Sequence, residues 1–167
     1  MSMILGIRAI ELRDLLVSVV ALIIAFSVLF GGRVLDANMI LVPALGVASG
    51  FLLHELAHKF TAQHFGYLAE YRANLMGLGL AVVSAFAGFL IAAPGAVMIS
   101  RSRPPAQAYI QDSMDGSAVP DPFQQEELAS QLKREMLLIS LAGPLTNIVL
   151  AVAFFILWVS GLAASGL

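Results

Sequence analysis

The 167-residue sequence contains no cysteine. Disulfides, thiolate zinc sites and a cysteine nucleophile are therefore excluded. Charge is scarce as well: Asp, Glu, Lys and Arg make up 12% of the chain, against roughly 25% in a soluble domain. No basic patch offers the electrostatic footprint of a nucleic-acid-binding protein. The net charge of −2 does not distinguish among other partners. What the chain has instead is apolar residues, 59% of the total, gathered into long uncharged runs at 15–30, 37–53, 73–100 and 136–167. Runs of about 18 or more apolar residues call for a bilayer. Where no water can satisfy the backbone, they also call for helices. The length allows one domain.

These runs predict an all-α polytopic membrane protein forming a single membrane-embedded unit over residues 1–167. Three spans are expected, at about 15–31, 37–65 and 136–159. Residues 1–14 mix apolar and charged side chains and read as lying on the membrane surface. The start resembles a signal peptide. However, Glu11 and Asp14 sit in its charged part and no small-residue cleavage pattern follows, so a retained first helix is expected. Pro43 is tolerable near the start of the second span, and Gly66 is a plausible stop at its end. Residues 67–74 look partly β-like. Residues 73–100 are expected to form an embedded hairpin, re-entrant or broken, because Pro94-Gly95 is a strong turn signal. A polar loop is expected at about 101–135. It holds four prolines and Asp112, Asp115 and Asp121, and ends in a short solvent-facing helical stretch at 124–135.

Positive charge supports the hairpin. If residues 73–100 cross once, Arg8, Arg13, Lys59 and Arg72 oppose Arg33, Arg101, Arg103, Lys133 and Arg134, four against five. If the segment enters and leaves on one side, the split becomes eight against Arg33 alone. The second arrangement satisfies the positive-inside rule and places the N-terminus and the long loop in the cytoplasm.

One stretch carries chemistry: His54-Glu55-Leu56-Ala57-His58. Four residues apart on a helix, the histidines differ by about 40° around the axis and about 6 Å along it, so both imidazoles can reach one ion. Neutral imidazole suits Zn²⁺, and Glu55 sits where it can take a proton from a water activated there. Ionisable groups inside a span are costly, so three in one helical turn ask for a function. Otherwise the span simply ends at Leu53 and the histidines belong to an interfacial helix. His64 has the spacing of a third metzincin ligand, but Thr61 replaces the glycine that would let the chain turn. A continuing helix carries His64 about 9 Å past His58, so an interfacial role is expected. Lys59 and Arg72 read as membrane-edge anchors, and Trp158 as an interface anchor. Asn147, a bare amide in an apolar span, serves either interhelical hydrogen bonding or the binding of substrate or an oxyanion. Asp115-Gly116 reads as a turn within the polar loop.

H-E-x-x-H in a transmembrane segment, with Ala142-Gly143-Pro144-Leu145-Thr146-Asn147 opening a later one, resembles the site-2 protease family of intramembrane zinc metalloproteases. Ala93-Pro94-Gly95-Ala96 is similar to a stretch of its prokaryotic members. The resemblance covers most of the chain, from Ala37 to Trp158. It implies a metal site at His54 and His58, a catalytic Glu55 as general base or acid, and a catalytic role for Asn147. It also implies a zinc ion within the membrane nearer the cytoplasm, and substrates that are transmembrane helices of regulatory proteins. The family takes its third ligand from a later Asp-Gly motif. No such motif follows Asn147, so the chain is expected to be truncated relative to the family by at least one helix.

The expected function is therefore a zinc metalloendopeptidase, or its core, in a prokaryotic cell membrane. Its partners would be a transmembrane-helix substrate and the lipid bilayer, with no nucleic acid and with an oligomer possible. The alternative is a non-catalytic membrane protein of the same fold that binds metal or a partner helix. A metal transporter would want polar residues spread over successive spans, which this sequence does not offer.

Overall fold

In the computed structural model, residues 7–31, 37–101 and 122–161 are described. They form α1 (Ala9–Gly31), α2 (Ala37–His64), β1 (Tyr67–Ala73), α3 (Leu75–Phe86), β2 (Gly95–Arg101) and α4 (Pro122–Val159). Among the described residues, three helices are long and apolar enough to cross a membrane: Ala9–Gly31, Ile40–His64 and Glu126–Val159. Large apolar side chains such as Val20, Ile24, Val83, Val149 and Phe155 point outward, where lipid is the natural solvent. The interior holds three small clusters. Leu22, Val47 and Leu78 join α1, α2 and α3, while Ala25, Ala81 and Ala85 let α1 and α3 approach closely. Ala62, Tyr67, Ala69 and Ile139 join α2 and β1 to α4.

The first helix begins at Ala9, ahead of the expected start near residue 15. Its charged turn is not on the surface: Glu11 is fully buried and Asp14 nearly so. The reason is pairing. Glu11 accepts from Lys59 Nζ at 2.5 Å and from the Tyr71 backbone N–H at 3.1 Å. Asp14 accepts from Arg13 and from the Ala73 N–H. Lys59 is accordingly an interior residue rather than a membrane-edge anchor, with a side chain 1% exposed. Arg72 is partly exposed and pairs with Glu70 at 2.8 Å.

The second helix ends where Gly66 takes φ +79°, a left-handed conformation that only glycine adopts freely. Next comes an antiparallel ribbon with register Tyr67↔Arg101 through Ala73↔Gly95. The chain leaves the ribbon at Ala73 and returns to the same end at Gly95. Between them α3 has 12 residues, about 18 Å, too short for a core of about 30 Å. Asn74 caps it by accepting from the Gly77 N–H at 3.2 Å. The expected hairpin at 73–100 is thus an excursion out and back, and it rejoins the ribbon in a strand, β2, that hydrophobicity did not disclose.

The last helix is longer than expected. Pro122 stands at its first position, where a missing N–H costs nothing, and the helix runs unbroken for 38 residues to Val159. The stretch at 124–135 is therefore its first turns and not part of a loop. Residues 102–121, including Asp115-Gly116, lie outside the described residues. Tyr67 Oη donates to Glu135 Oε2 at 2.5 Å, fixing α4 beside the ribbon. The start of α1, the end of α2, both ends of the excursion and the lower part of α4 therefore meet at the ribbon. Arg8, Arg13, Lys59 and Arg72 gather there too.

Candidate active site

His54, Glu55 and His58 lie in the C-terminal half of α2, where α4 packs across it. Counting back from His64, they lie about 9–15 Å inside the helix end, within the candidate span and nearer the ribbon. The two Nε2 atoms are 3.1 Å apart. The remaining ring nitrogens are tied to α4. His58 Nδ1–H donates to the Ile139 carbonyl at 2.6 Å, and the Asn147 amide donates to His54 Nδ1 at 3.0 Å. With the Asn147 nitrogen toward it, Nδ1 of His54 accepts and the ring proton lies on Nε2, facing Nε2 of His58; with the amide reversed, the proton lies on Nδ1.

Gly143 makes the close approach of α4 possible. A Cβ there would lie 2.3 Å from His58 Nε2 and 2.6 Å from His54 Nε2. Only a hydrogen fits over the two rings. Next to it, Pro144 carries no N–H, so the Ser140 carbonyl loses its helical donor. Ser140 lines a cavity of about 380 Å³ together with His54, Glu55, His58 and strand β2. A larger and mainly apolar cavity, about 640 Å³, is lined mostly by α1 and α2, with Pro94, Gly95 and Asn147. His54, Glu55 and Gly95 border both cavities. These three residues are the lining that the two cavities share.

The donor set fits a zinc ion. Ligands about 2.0–2.1 Å from a tetrahedral centre are separated by roughly 3.3–3.4 Å, close to the 3.1 Å between the Nε2 atoms. His58 already has the right tautomer, its Nδ1–H held by a carbonyl and its Nε2 free. His54 needs its ring proton moved to Nδ1, which requires the Asn147 amide to turn its oxygen toward the ring. Among the described residues no cluster of three His, Cys, Asp or Glu side chains forms around one point.

The site residues expected from sequence therefore come together, and others stay apart. His54, Glu55 and His58 share one corner with Asn147 against it. His64 is exposed and stacks edge-on with Phe65, carried away by the helix that continues past Thr61. Sequence reasoning missed Gly143 as the residue that admits the rings and the Ile139 carbonyl as the partner of His58. The first lay within a motif already noted. The second, a backbone atom in an apolar run, left no signal.

Helices long and apolar enough to cross a membrane surround a histidine pair, with a carboxylate where two cavities meet. Residues 42–163 match Peptidase family M50, and the chain belongs to that family, the site-2 proteases. It is also 32% identical, over 148 residues, to the Methanocaldococcus jannaschii protein named "Putative zinc metalloprotease MJ0611". That alignment covers 88% of this chain and 61% of the relative, so the chain spans under two thirds of the relative's length. No solved structure matches it.

Proposed function

We propose that the protein is an intramembrane zinc endopeptidase, or the core of one, that cuts transmembrane segments of regulatory membrane proteins. The observation that carries this reading is the pair of Nε2 atoms 3.1 Å apart, with Glu55 beside them at the junction of the two cavities. A zinc ion at that point would supply Lewis-acid polarisation of a carbonyl and a lowered pKa for water. His54 and His58 would hold it. Glu55 takes the proton of the attacking water and delivers it to the leaving amine. Asn147 orients His54, and β2 offers its outer edge to a substrate in extended form.

The protein would sit as a multi-pass protein in a prokaryotic cell membrane, with the ribbon end and the active site toward the cytoplasm. The positive charges at that end support this orientation. A cysteine placed at Ser113 should react from the cytoplasmic side; modification only from outside the cell would reverse the orientation.

A non-catalytic metal-binding or helix-binding protein of the same fold is the second reading. It is favoured by the donor count, since among the described residues only two histidines and no cluster of three donors face one point. The deciding experiment measures zinc content and cleavage of a transmembrane peptide by the wild type, by Glu55→Gln and by the His54→Ala, His58→Ala double variant. Bound zinc and cleavage in the wild type, zinc without cleavage in Glu55→Gln, and neither in the double variant are expected. Cleavage that survives Glu55→Gln removes Glu55 from the mechanism. Zinc without cleavage in the wild type favours the second reading.

A further inference from the structure

Strand β2 meets the active site at Pro94-Gly95, and that corner is held from behind by side chains outside the motif. The Pro94 carbonyl accepts from the Tyr71 hydroxyl at 2.9 Å and from the Asn74 N–H at 2.9 Å. Ser18 Oγ lies 2.9 Å from the Tyr71 hydroxyl and 3.4 Å from the same carbonyl. Ser18 can also donate to the Asp14 carbonyl at 2.9 Å. Two hydroxyl protons thus serve a connected set of acceptors: Tyr71 gives its proton to Pro94, and Ser18 donates to Tyr71 or Asp14. Ser18 and Tyr71 are 0% and 1% exposed, so water does not replace a lost partner. The Tyr71 ring is itself seated edge-on against Phe51 of α2, centroids 5.7 Å apart.

The clamp reaches the site through Gly95. A Cβ on Gly95 would lie 2.2 Å from the Arg72 carbonyl and 2.3 Å from the Tyr71 hydroxyl, so the chain is drawn against β1 as far as glycine allows. Gly95 also borders both cavities beside His54 and Glu55. The position of this backbone therefore shapes the wall that the two cavities share.

We infer that Tyr71, backed by Ser18, is a positioning residue that holds the Pro94-Gly95 wall of the site and so governs how well an extended substrate fits. This rests on the proposed protease function, and it deepens that reading by assigning substrate fit to a buried hydroxyl pair on β1 and α1. Tyr71 touches neither the substrate nor the histidines; it acts through Pro94 and Gly95.

The test uses the full chain in detergent micelles and the variants Tyr71→Phe and Ser18→Ala, which leave the packing volume nearly intact. Amide hydrogen exchange is read over 95–101 and over 54–64. In Tyr71→Phe, exchange of β2 should rise about tenfold, the scale expected for one unsatisfied buried hydrogen bond. Exchange of 54–64 and zinc content should stay unchanged. Ser18→Ala should act in the same direction, more weakly, and the double variant should add little to Tyr71→Phe because both act on one carbonyl. For a lysine-flanked polyleucine peptide with a central Asn-Gly, KM should rise about tenfold in Tyr71→Phe while kcat changes less than about twofold. Unchanged exchange of β2, or an equal rise in α2, overturns the clamp. A fall in kcat at constant KM overturns its role in fit. If the wild type neither holds zinc nor cleaves, the protease reading fails, and the exchange data alone decide the clamp.

Discussion

Lys59 Nζ lies 2.5 Å from Glu11 Oε2, and both side chains are shut off from solvent. The pair joins the first turn of α1 to α2 one residue beyond His58. The Tyr71 N–H completes the carboxylate's partners. Removing one member leaves a buried charge without its counter-ion, which costs about 3–5 kcal/mol, whereas replacing both by apolar groups is often near neutral. Glu11→Ala should therefore destabilise the fold by about that amount in an SDS unfolding titration. Adding Lys59→Met should recover most of the loss. A Glu11→Ala variant as stable as wild type would show that the pair contributes no stability.

Gly143 gives a sharper result at the site. The Cβ of Gly143→Ala would press within 2.3–2.6 Å of both Nε2 atoms, so α4 or the two rings must move. Since alanine suits a helix interior better than glycine by about 1 kcal/mol, α4 itself should be no less helical. The expected outcome is loss of zinc binding with circular dichroism unchanged. Full zinc occupancy in Gly143→Ala would mean that the rings bind metal in another arrangement.

The sequence made much of this legible. Long apolar runs disclosed the spans because lipid imposes one solution on the backbone. The histidine pair was legible because a four-residue spacing is nearly a full helical turn. The fate of His64 followed from Thr61, which lets the helix continue. Glu11 and Lys59 were misread because sequence distance hides a partner 48 residues away; each alone looks like an interfacial charge. Strand β2 was missed for a related reason. Its residues, Gly95 to Arg101, are as apolar as a helix would be, and only the pairing with β1 makes them a strand.

Tyr71 should make stability at high pH distinctive. Burial pushes its phenol up to about 12 from an ordinary value near 10. The folded state then keeps its proton over a range in which the unfolded chain loses it. Stability from this source is complete below about pH 10 and is lost as pH rises toward about 12. Wild type should lose stability more steeply than Tyr71→Phe across that interval, as read by unfolding titrations at successive pH values. Parallel curves would show that the phenol titrates as freely in the fold as outside it.

Asn147 stands 3.0 Å from His54 Nδ1, where its amide can present its oxygen or, as here, its nitrogen. In that orientation His54 carries its proton on Nε2, the atom that must be bare to bind a metal. Zinc entry therefore requires that proton to leave or to move to Nδ1, and Asn147 to turn its oxygen inward. A carboxylate needs no such turn, because it accepts from Nδ1–H in either orientation. Asn147→Asp should accordingly hold zinc at least as tightly as wild type. Asn147→Ala should bind it about 10–100-fold more weakly, the usual cost of losing the partner that orients a histidine ligand. Competition with a chelator of known affinity measures all three proteins. Equal zinc affinity in Asn147→Ala, combined with reduced cleavage, would instead assign Asn147 to the substrate's carbonyl oxygen, where one lost donor costs about 10²–10³ in kcat.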